Sequence, residues 1–120
     1  MMEEIKKWLE QAEKDFETAK YNLEGDKIEA GMFFLQQSVE KALKAVHIKK
    51  NKKLIKIHDL VLLAKKINAS KKIIDYCKEL NPAYLYTRYP DIPKIDNLEN
   101  KISEFIKYTK EILEWTKKNI

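Results

Sequence analysis

The chain has 120 residues, of which 36% are charged and 44% hydrophobic, with only two glycines and three prolines. This length predicts a single domain over residues 1–120, and the composition predicts long helices with few turns. The sequence contains no apolar run long enough to span a membrane, its acidic N-terminus does not resemble a signal peptide, and its single cysteine, Cys77, cannot form an internal disulfide. We therefore expect a soluble protein in the reducing cytoplasm.

The net charge of +5 is distributed unevenly along the sequence. Residues 1–40 carry a net charge of −5, residues 41–72 carry +10, and residues 73–120 are neutral overall. Lysine supplies nearly all of the positive charge, and Arg88 is the only arginine. Such a basic segment could neutralise the phosphates of a nucleic acid, or it could simply keep a loop soluble.

Hydrophobic periodicity predicts two long helices in the first half of the chain. The first is predicted over residues 2–24, with Gly25 in a left-handed position at its C-terminal end. Asp26 and Glu29 are predicted to form a capping box for the second helix, over residues 27–50. The stripe predicted to be buried in the first helix comprises Ile5, Trp8, Leu9, Ala12, Phe16, Ala19 and Leu23.

The second half of the chain is predicted to contain shorter helices and one further long helix. After a loop, the predicted features are a helix over residues 58–68, a helix capped by Ser70, a short aromatic helix over residues 83–88, and a long helix over residues 96–120. No strand pattern or internal repeat is present. The predicted fold is all-α, an antiparallel up-and-down bundle of four to five helices.

The second helix carries an apolar stripe and, about a third of the circumference away, a polar row. The row consists of Gln37, Glu40, Lys41 and Lys44. A surface helix needs only the apolar stripe, so we expect this helix to be central and its polar row to face a ligand or a second subunit. One interpretation is a groove in which the lysines bind phosphate and Gln37 binds a base or ribose. The other is a solvated helix face with a Glu40–Lys44 ion pair.

Arg88 lies in an unusually aromatic segment that also contains Tyr84, Tyr86 and Tyr89. A planar guanidinium can bind a phosphate or carboxylate through two hydrogen bonds, and a neighbouring tyrosine can stack on a base. Alternatively, Arg88 pairs with a helix acid such as Asp15 or Glu40, and the tyrosines pack within a loop. The spacing of residues does not decide between these two interpretations.

The chain has two histidines, His47 and His58. Neither is surrounded by residues with the spacing of a metal site, so we expect no metal and no cofactor. A structural role is favoured for both. His58 and Asp59 stand at the start of the third predicted helix, where they are placed to cap it.

Five motifs are spread over nearly the whole chain. They are Trp8, Ala12, Asp15 and Ala19; Gln36-Gln37-Ser38-Val39-Glu40-Lys41-Ala42-Leu43-Lys44; His58-Asp59-Leu60; Arg88-Tyr89-Pro90; and Trp115. Together they resemble the HEPN domain family of prokaryotic stand-alone proteins. The resemblance implies a helical bundle, usually homodimeric, similar to the helical domain of kanamycin nucleotidyltransferase. It also implies nucleotide binding and a toxin–antitoxin-like pairing with a minimal nucleotidyltransferase.

The resemblance further implies that many relatives are metal-independent ribonucleases. In those relatives, an arginine is followed within about two helical turns by a histidine that transfers protons. Arg88 is present here, but residues 89–98 contain no histidine. Only His47 or His58 could supply an imidazole, so the sequence leaves open whether the chain is an enzyme.

The polar row and the resemblance together predict a nucleotide- or RNA-binding subunit. The predicted ligand-binding residues are Gln37, Glu40, Lys41, Lys44, Arg88 and Tyr89, supported by Asp15, His58 and Asp59. In this hypothesis Lys41, Lys44 and Arg88 hold phosphate, while Tyr89 stacks on a base. The alternatives are a metal-independent endoribonuclease and a structural interaction subunit with no ligand.

Overall fold

The computed structural model describes residues 2–81 and 101–120, and these residues form five helices and no strand. The helices are α1 (Met2–Glu24), α2 (Ile28–Asn51), α3 (Leu60–Lys66), α4 (Lys71–Leu80) and α5 (Ile102–Lys118). The predicted all-α bundle is confirmed, and the first two helices lie within one residue of their predicted bounds. The predicted short helix at residues 83–88 and the predicted start of the last helix lie outside the described residues. Among the described helices, none is long and apolar enough to cross a membrane.

The second helix, α2, lies at the centre of the bundle, as its two stripes predict. It packs against α1, α3 and α5, and every residue from 42 to 48 is buried. Its apolar stripe supplies Leu35, Leu43 and Val46, which are completely enclosed. A helix that packs against neighbours on several sides needs apolar residues on more than one side. This explains why the apolar residues of α2 are not confined to a single stripe.

The turn between α1 and α2 differs from the prediction by one residue. The left-handed conformation, with φ of 60°, belongs to Asp26, whereas Gly25 has no positive φ. The N–H of Lys27 donates to the carbonyl of Asn22 at 2.8 Å, and the N–H of Asp26 donates to the carbonyl of Leu23 at 3.2 Å. This is a Schellman ending with aspartate, which tolerates the conformation, in the left-handed position. Asp26 therefore ends α1, and the capping box predicted for α2 is wrong, since the N-cap of α2 is Lys27 and no side chain makes a capping hydrogen bond there.

Side-chain caps begin α3 and α4, as predicted. Asp59 accepts hydrogen bonds from two N–H groups in the first turn of α3, and Ser70 Oγ accepts one from the N–H of Ile73 at 3.3 Å. Asn81 then connects the end of α4 to the start of α3. Its side chain donates to Asp59 at 3.1 Å and accepts from the N–H of Leu60 at 2.9 Å.

Most residues predicted to face inward are buried. In the stripe predicted for α1, Trp8 and Leu9 are only half-buried. The partial exposure of Trp8 matters below, because it leaves part of the indole accessible between α1 and α2.

Gly31 sets the close approach between α1 and α2. A Cβ at this position would lie 2.4 Å from two side-chain atoms of Leu23 and 3.3 Å from the carbonyl oxygen of Ala19. About two turns further along α2, Ser38 Oγ donates to the carbonyl oxygen of Ala12 at 2.6 Å. The two helices are therefore in direct contact over several turns.

We expect Gly31→Ala to lower the free energy of unfolding by about 1 kcal/mol. Overpacking costs about 1–3 kcal/mol and exceeds the gain of up to about 1 kcal/mol in helix propensity. Gly25→Ala is the matched control, because the nearest atoms to its Cβ would lie 3.7 Å away. Chemical denaturation measures both variants, and equal stability would contradict the role assigned to Gly31.

Candidate functional site

A cluster of polar side chains surrounds Glu40 where α2 meets the segment before α3. Lys44 Nζ donates to Glu40 Oε2 at 3.0 Å, and Gln36 Nε2 donates to Oε1 at 3.2 Å. His58 Nδ1 lies 3.2 and 3.1 Å from the two carboxylate oxygens. We call Gln36, Glu40, Lys44 and His58 the Glu40 cluster. Gln37, from the predicted row, adjoins it by donating to Gln36 Oε1 at 2.8 Å.

The Glu40–Lys44 ion pair is confirmed, but the interpretation of the polar row as a solvated face is wrong. The side chains of Glu40 and Lys44 are each only 7% exposed. The N-terminal half of α1 covers this side of α2, with the Lys44 ammonium 6.0 Å from the ring centroid of Trp8. A lysine and a glutamate four residues apart neutralise each other and can therefore be buried together.

His58 does not cap α3, since Asp59 makes that cap by itself. Instead, the carbonyl oxygen of His58 accepts from Gln36 Nε2 at 3.3 Å, and its imidazole lies against Glu40 with 57% of the side chain exposed. Because an ionised carboxylate can only accept hydrogen bonds, Nδ1 is the ring nitrogen that donates to Glu40. The fold thus forms a carboxylate–imidazole pair between residues 18 positions apart.

A second ion pair joins Asp15 of α1 to Lys41 of α2. Asp15 is 4% exposed and also accepts from Gln11 Nε2 at 3.0 Å. The Lys41 side chain is 23% exposed, so its ammonium is held by Asp15 while the side chain reaches the surface. An ammonium has three N–H donors, and this pair leaves others for a ligand.

A groove of about 260 Å³ opens to solvent between α1 and α2, beside this ion pair. We call it the α1–α2 groove, and it is lined by Lys7, Trp8, Gln11 and Lys41. Of these, only Lys41 was predicted to bind a ligand. Trp8 was assigned to the buried stripe because helical spacing is the same for a core residue and for one at the edge of a groove.

A group of exposed lysines lies where the ends of α2 and α3 meet. Lys50 Nζ donates to the carbonyl oxygen of Ile67 at 2.6 Å, so the ends of α2 and α3 lie together. The exposed lysines of these segments and of the adjoining start of α4 are Lys50, Lys52, Lys53, Lys65, Lys66, Lys71 and Lys72, which we call the basic end. The contact between Lys50 and Ile67 thus brings together the ends of two helices from the basic segment of the sequence, residues 41–72.

One lysine of the basic end is neutralised by an acid of α5. Lys72 Nζ lies 3.0 Å from Glu111, and Tyr76 donates its hydroxyl proton to the same carboxylate at 2.7 Å. The hydrogen bonds from Tyr76 and Lys72 lower the pKa of Glu111. Glu111 therefore stays ionised at neutral pH and offsets part of the positive charge there.

Two further residues with reactive side chains have structural roles. His47 is buried, and its Nδ1 lies 2.8 Å from the carbonyl oxygen of Lys53, to which it donates. Burial raises the pKa of the Cys77 thiol to about 12. Cys77 is consequently a thiol near neutral pH and a poor nucleophile.

Arg88 and Tyr89 lie outside the described residues. Within the described residues, Asp15 contacts Lys41, while Glu40 contacts both Lys44 and His58. The convergence of Arg88 and Tyr89 with the polar row of α2 therefore stays a prediction.

We expect Glu40→Ala to lower the free energy of unfolding by about 3–5 kcal/mol, because it leaves the buried Lys44 ammonium unpaired. Glu17→Ala is the matched control. Glu17 pairs with Lys20 at 3.1 Å, but its side chain is 71% exposed, so its loss should cost no more than about 1 kcal/mol. Urea denaturation followed by circular dichroism measures both, and similar losses would contradict a structural role for the Glu40 cluster.

The chain is similar to known proteins in both sequence and fold. The family model for the HEPN domain matches residues 5–120. The crystal structure of TT1696 from Thermus thermophilus superposes with a TM-score of 0.83 at 23% identity, covering 97% of this chain and 98% of that chain. The crystal structure of ST0689, an archaeal HEPN homologue, superposes with a TM-score of 0.76 at 29% identity, covering 94% of each chain. Among proteins with curated descriptions, none matches. The family match over nearly the full length shows that this chain belongs to the HEPN domain family.

Proposed function

We propose that this HEPN protein is an RNA- or nucleotide-binding subunit of a toxin–antitoxin-like pair, whose partner is a minimal nucleotidyltransferase. The proposal includes a homodimer and a cytoplasmic location. Its main support is the basic end, where lysines from α2, the following loop, α3 and α4 lie together around the contact of Lys50 with Ile67. Co-purification with such a nucleotidyltransferase, and a solution mass twice that of one chain, are the observations expected for the assembly.

The chemistry of the basic end suits phosphate better than a specific base sequence. Lysine ammonium groups are point charges that release counterions from a nucleic-acid backbone. Contacts of this kind position a strand, whereas sequence is read by contacts to base edges. We therefore expect binding that depends strongly on salt and weakly on base sequence.

The predicted row on α2 contributes to the same proposal in two ways. Lys41, held by Asp15, supplies an ammonium at the surface. Lys44 is buried in its pair with Glu40, so its role is to support the site rather than to contact phosphate directly. Gln37, Arg88 and Tyr89 remain in the proposed ligand site, with Arg88 and Tyr89 as further phosphate and base contacts.

Calorimetry at low salt with ATP and with a short single-stranded RNA tests the proposal, and we expect heat from at least one of them. For RNA, the double variant Lys53→Ala, Lys66→Ala should reduce the slope of log K against log salt by about 1.4, since each phosphate contact to a single strand contributes about 0.7. Both side chains are exposed, so folding should be unaffected.

The matched control is the double variant Lys14→Ala, Lys27→Ala. It removes the same charge from positions in α1 and in the turn before α2, away from the basic end. The salt slope should then be unchanged. An equal reduction in both double variants would contradict the basic end as the binding surface, and no heat from either ligand with folded protein would reject the proposal.

A metal-independent endoribonuclease is the second candidate function, and the contact between His58 and Glu40 favours it. Glu40 orients the imidazole through Nδ1, while the His58 side chain is largely exposed. An imidazole held by a carboxylate can accept the proton of a ribose 2′-hydroxyl. The 2′ oxygen would form a bond to the adjacent phosphorus as the bond from phosphorus to the 5′ oxygen breaks, leaving a 2′,3′-cyclic phosphate, and the imidazolium would return its proton to the departing 5′ oxygen. Arg88 would stabilise the charge that develops on the phosphate.

If the chain cleaves RNA in EDTA, we expect His58→Asn to reduce the rate by about 10²–10⁴-fold, because proton transfer is lost while the asparagine amide can still donate to Glu40. Arg88→Ala should also abolish cleavage. His47→Asn is the control, since His47 is buried against Lys53. Cleavage that persists in the Arg88 and His58 variants would point to a contaminating nuclease.

A further inference from the structure

The α1–α2 groove has the size of a site for one small ligand. Pockets for drug-sized ligands span about 300–1,000 Å³, and this open groove, at about 260 Å³, lies just below that range. That volume suits one nucleotide unit, meaning one base with its ribose and phosphate, and is too small for a dinucleotide cofactor. The accessible lining is mainly apolar and is supplied by the side chains of Lys7, Trp8, Gln11 and Lys41, so the polar ends of the two lysines and of Gln11 lie at its margin.

Trp8 provides a fixed aromatic surface in the groove. Its indole packs against Ile5, Ala45 and Ile48, three buried residues at the contact of α1 with α2. The Lys44 ammonium lies 6.0 Å from the ring centroid, and Lys44 is itself held by Glu40. Because the ring is anchored on both helices, it loses little freedom when a base stacks on it. Stacking of bases on aromatic side chains is a main source of affinity for single-stranded nucleic acids.

The charges around the groove match a singly charged phosphate. Lys7 and Lys41 contribute two positive charges, and Asp15, which pairs with Lys41, contributes one negative charge. Gln11 is hydrogen-bonded to Asp15 at 3.0 Å, so the amide is also held in place. The resulting net charge of about +1 at the site complements a phosphodiester, which carries one negative charge, better than it complements a triphosphate.

We propose that the α1–α2 groove binds one unpaired nucleotide unit, with its base stacked on Trp8 and its phosphate between Lys7 and Lys41. This inference rests on the proposed nucleic-acid or nucleotide binding and adds a specific position and ligand class to it. A free nucleoside monophosphate and one nucleotide of a single RNA strand present the same chemistry. Double-stranded RNA does not, because its bases are already stacked and paired.

Tryptophan fluorescence tests the inference with the full chain. The sequence contains two tryptophans, so Trp115→Phe leaves Trp8 as the only reporter. We expect single-stranded oligoadenylate to quench this emission, and AMP to do so at higher concentration if the strand adds contacts at the basic end. If AMP quenches the emission with the same affinity as oligoadenylate, the site is assigned to the free nucleotide, and this result also supports the inference. Equal quenching by duplex RNA would overturn it.

The Trp8→Leu variant should bind single-stranded RNA about 5- to 150-fold more weakly, the loss expected for removing one stacking contact. Trp8→Phe should restore part of the affinity, because it returns an aromatic ring to the position. Thermal melting of both variants checks that the weaker binding of Trp8→Leu does not come from a loss of folding. Lys7→Ala should reduce the salt slope by about 0.7, whereas Lys6→Ala, an exposed neighbour, should not.

The outcomes separate this inference from the proposed function. If RNA binds but Trp8→Leu, once shown to be folded, binds as tightly as the parent chain, the groove is not the site and the basic end remains the binding surface. If neither RNA nor a nucleotide binds the folded chain, both are rejected.

Discussion

The charge of Glu40 inside the bundle is the constraint on which the rest of the site depends. An ionised carboxylate taken out of water loses several kcal/mol of solvation unless other groups replace the water. Here the water around Glu40 is replaced by hydrogen bonds from Lys44 and Gln36 of α2 and from His58, which lies in the segment that leads into α3. The same contacts hold that segment against α2 directly before the Asp59 cap. Compensation of one buried charge therefore holds the segment before α3 against α2 and determines where His58 is presented.

The lysines of this HEPN domain fall into two groups with different consequences. Lys41 and Lys44 are each held by a carboxylate, and their ammonium groups have defined positions between α1 and α2. The lysines of the basic end are mostly exposed on long side chains, and they create a general positive potential. A strand attracted by the second group would meet a fixed arrangement of groups beside the first. Weak sequence dependence and a defined contact to one nucleotide are compatible in such a surface.

Local signals in the sequence predicted the helices well. The caps at Asp59 and Ser70 depend on residues only two or three positions away, and apolar periodicity identified α2 as central. The turn was misplaced by one position because Gly25 and Asp26 can both adopt left-handed backbone. Burial of the Glu40–Lys44 pair could not be predicted, since the same four-residue spacing occurs on exposed helices. Nor could the groove at Trp8, which depends on how closely α1 crosses α2.

Contacts from Gly31, Ser38 and Lys41 to α1 occur at successive levels of the same helix pair. Sliding α1 along α2 by one turn, about 5.4 Å, would break all of them together. The axial register of the two helices is therefore locked, and the separation of groups on opposite walls between them is set by backbone packing. A ligand there meets a preformed shape, and any rearrangement caused by a partner protein must be accommodated by other parts of the molecule.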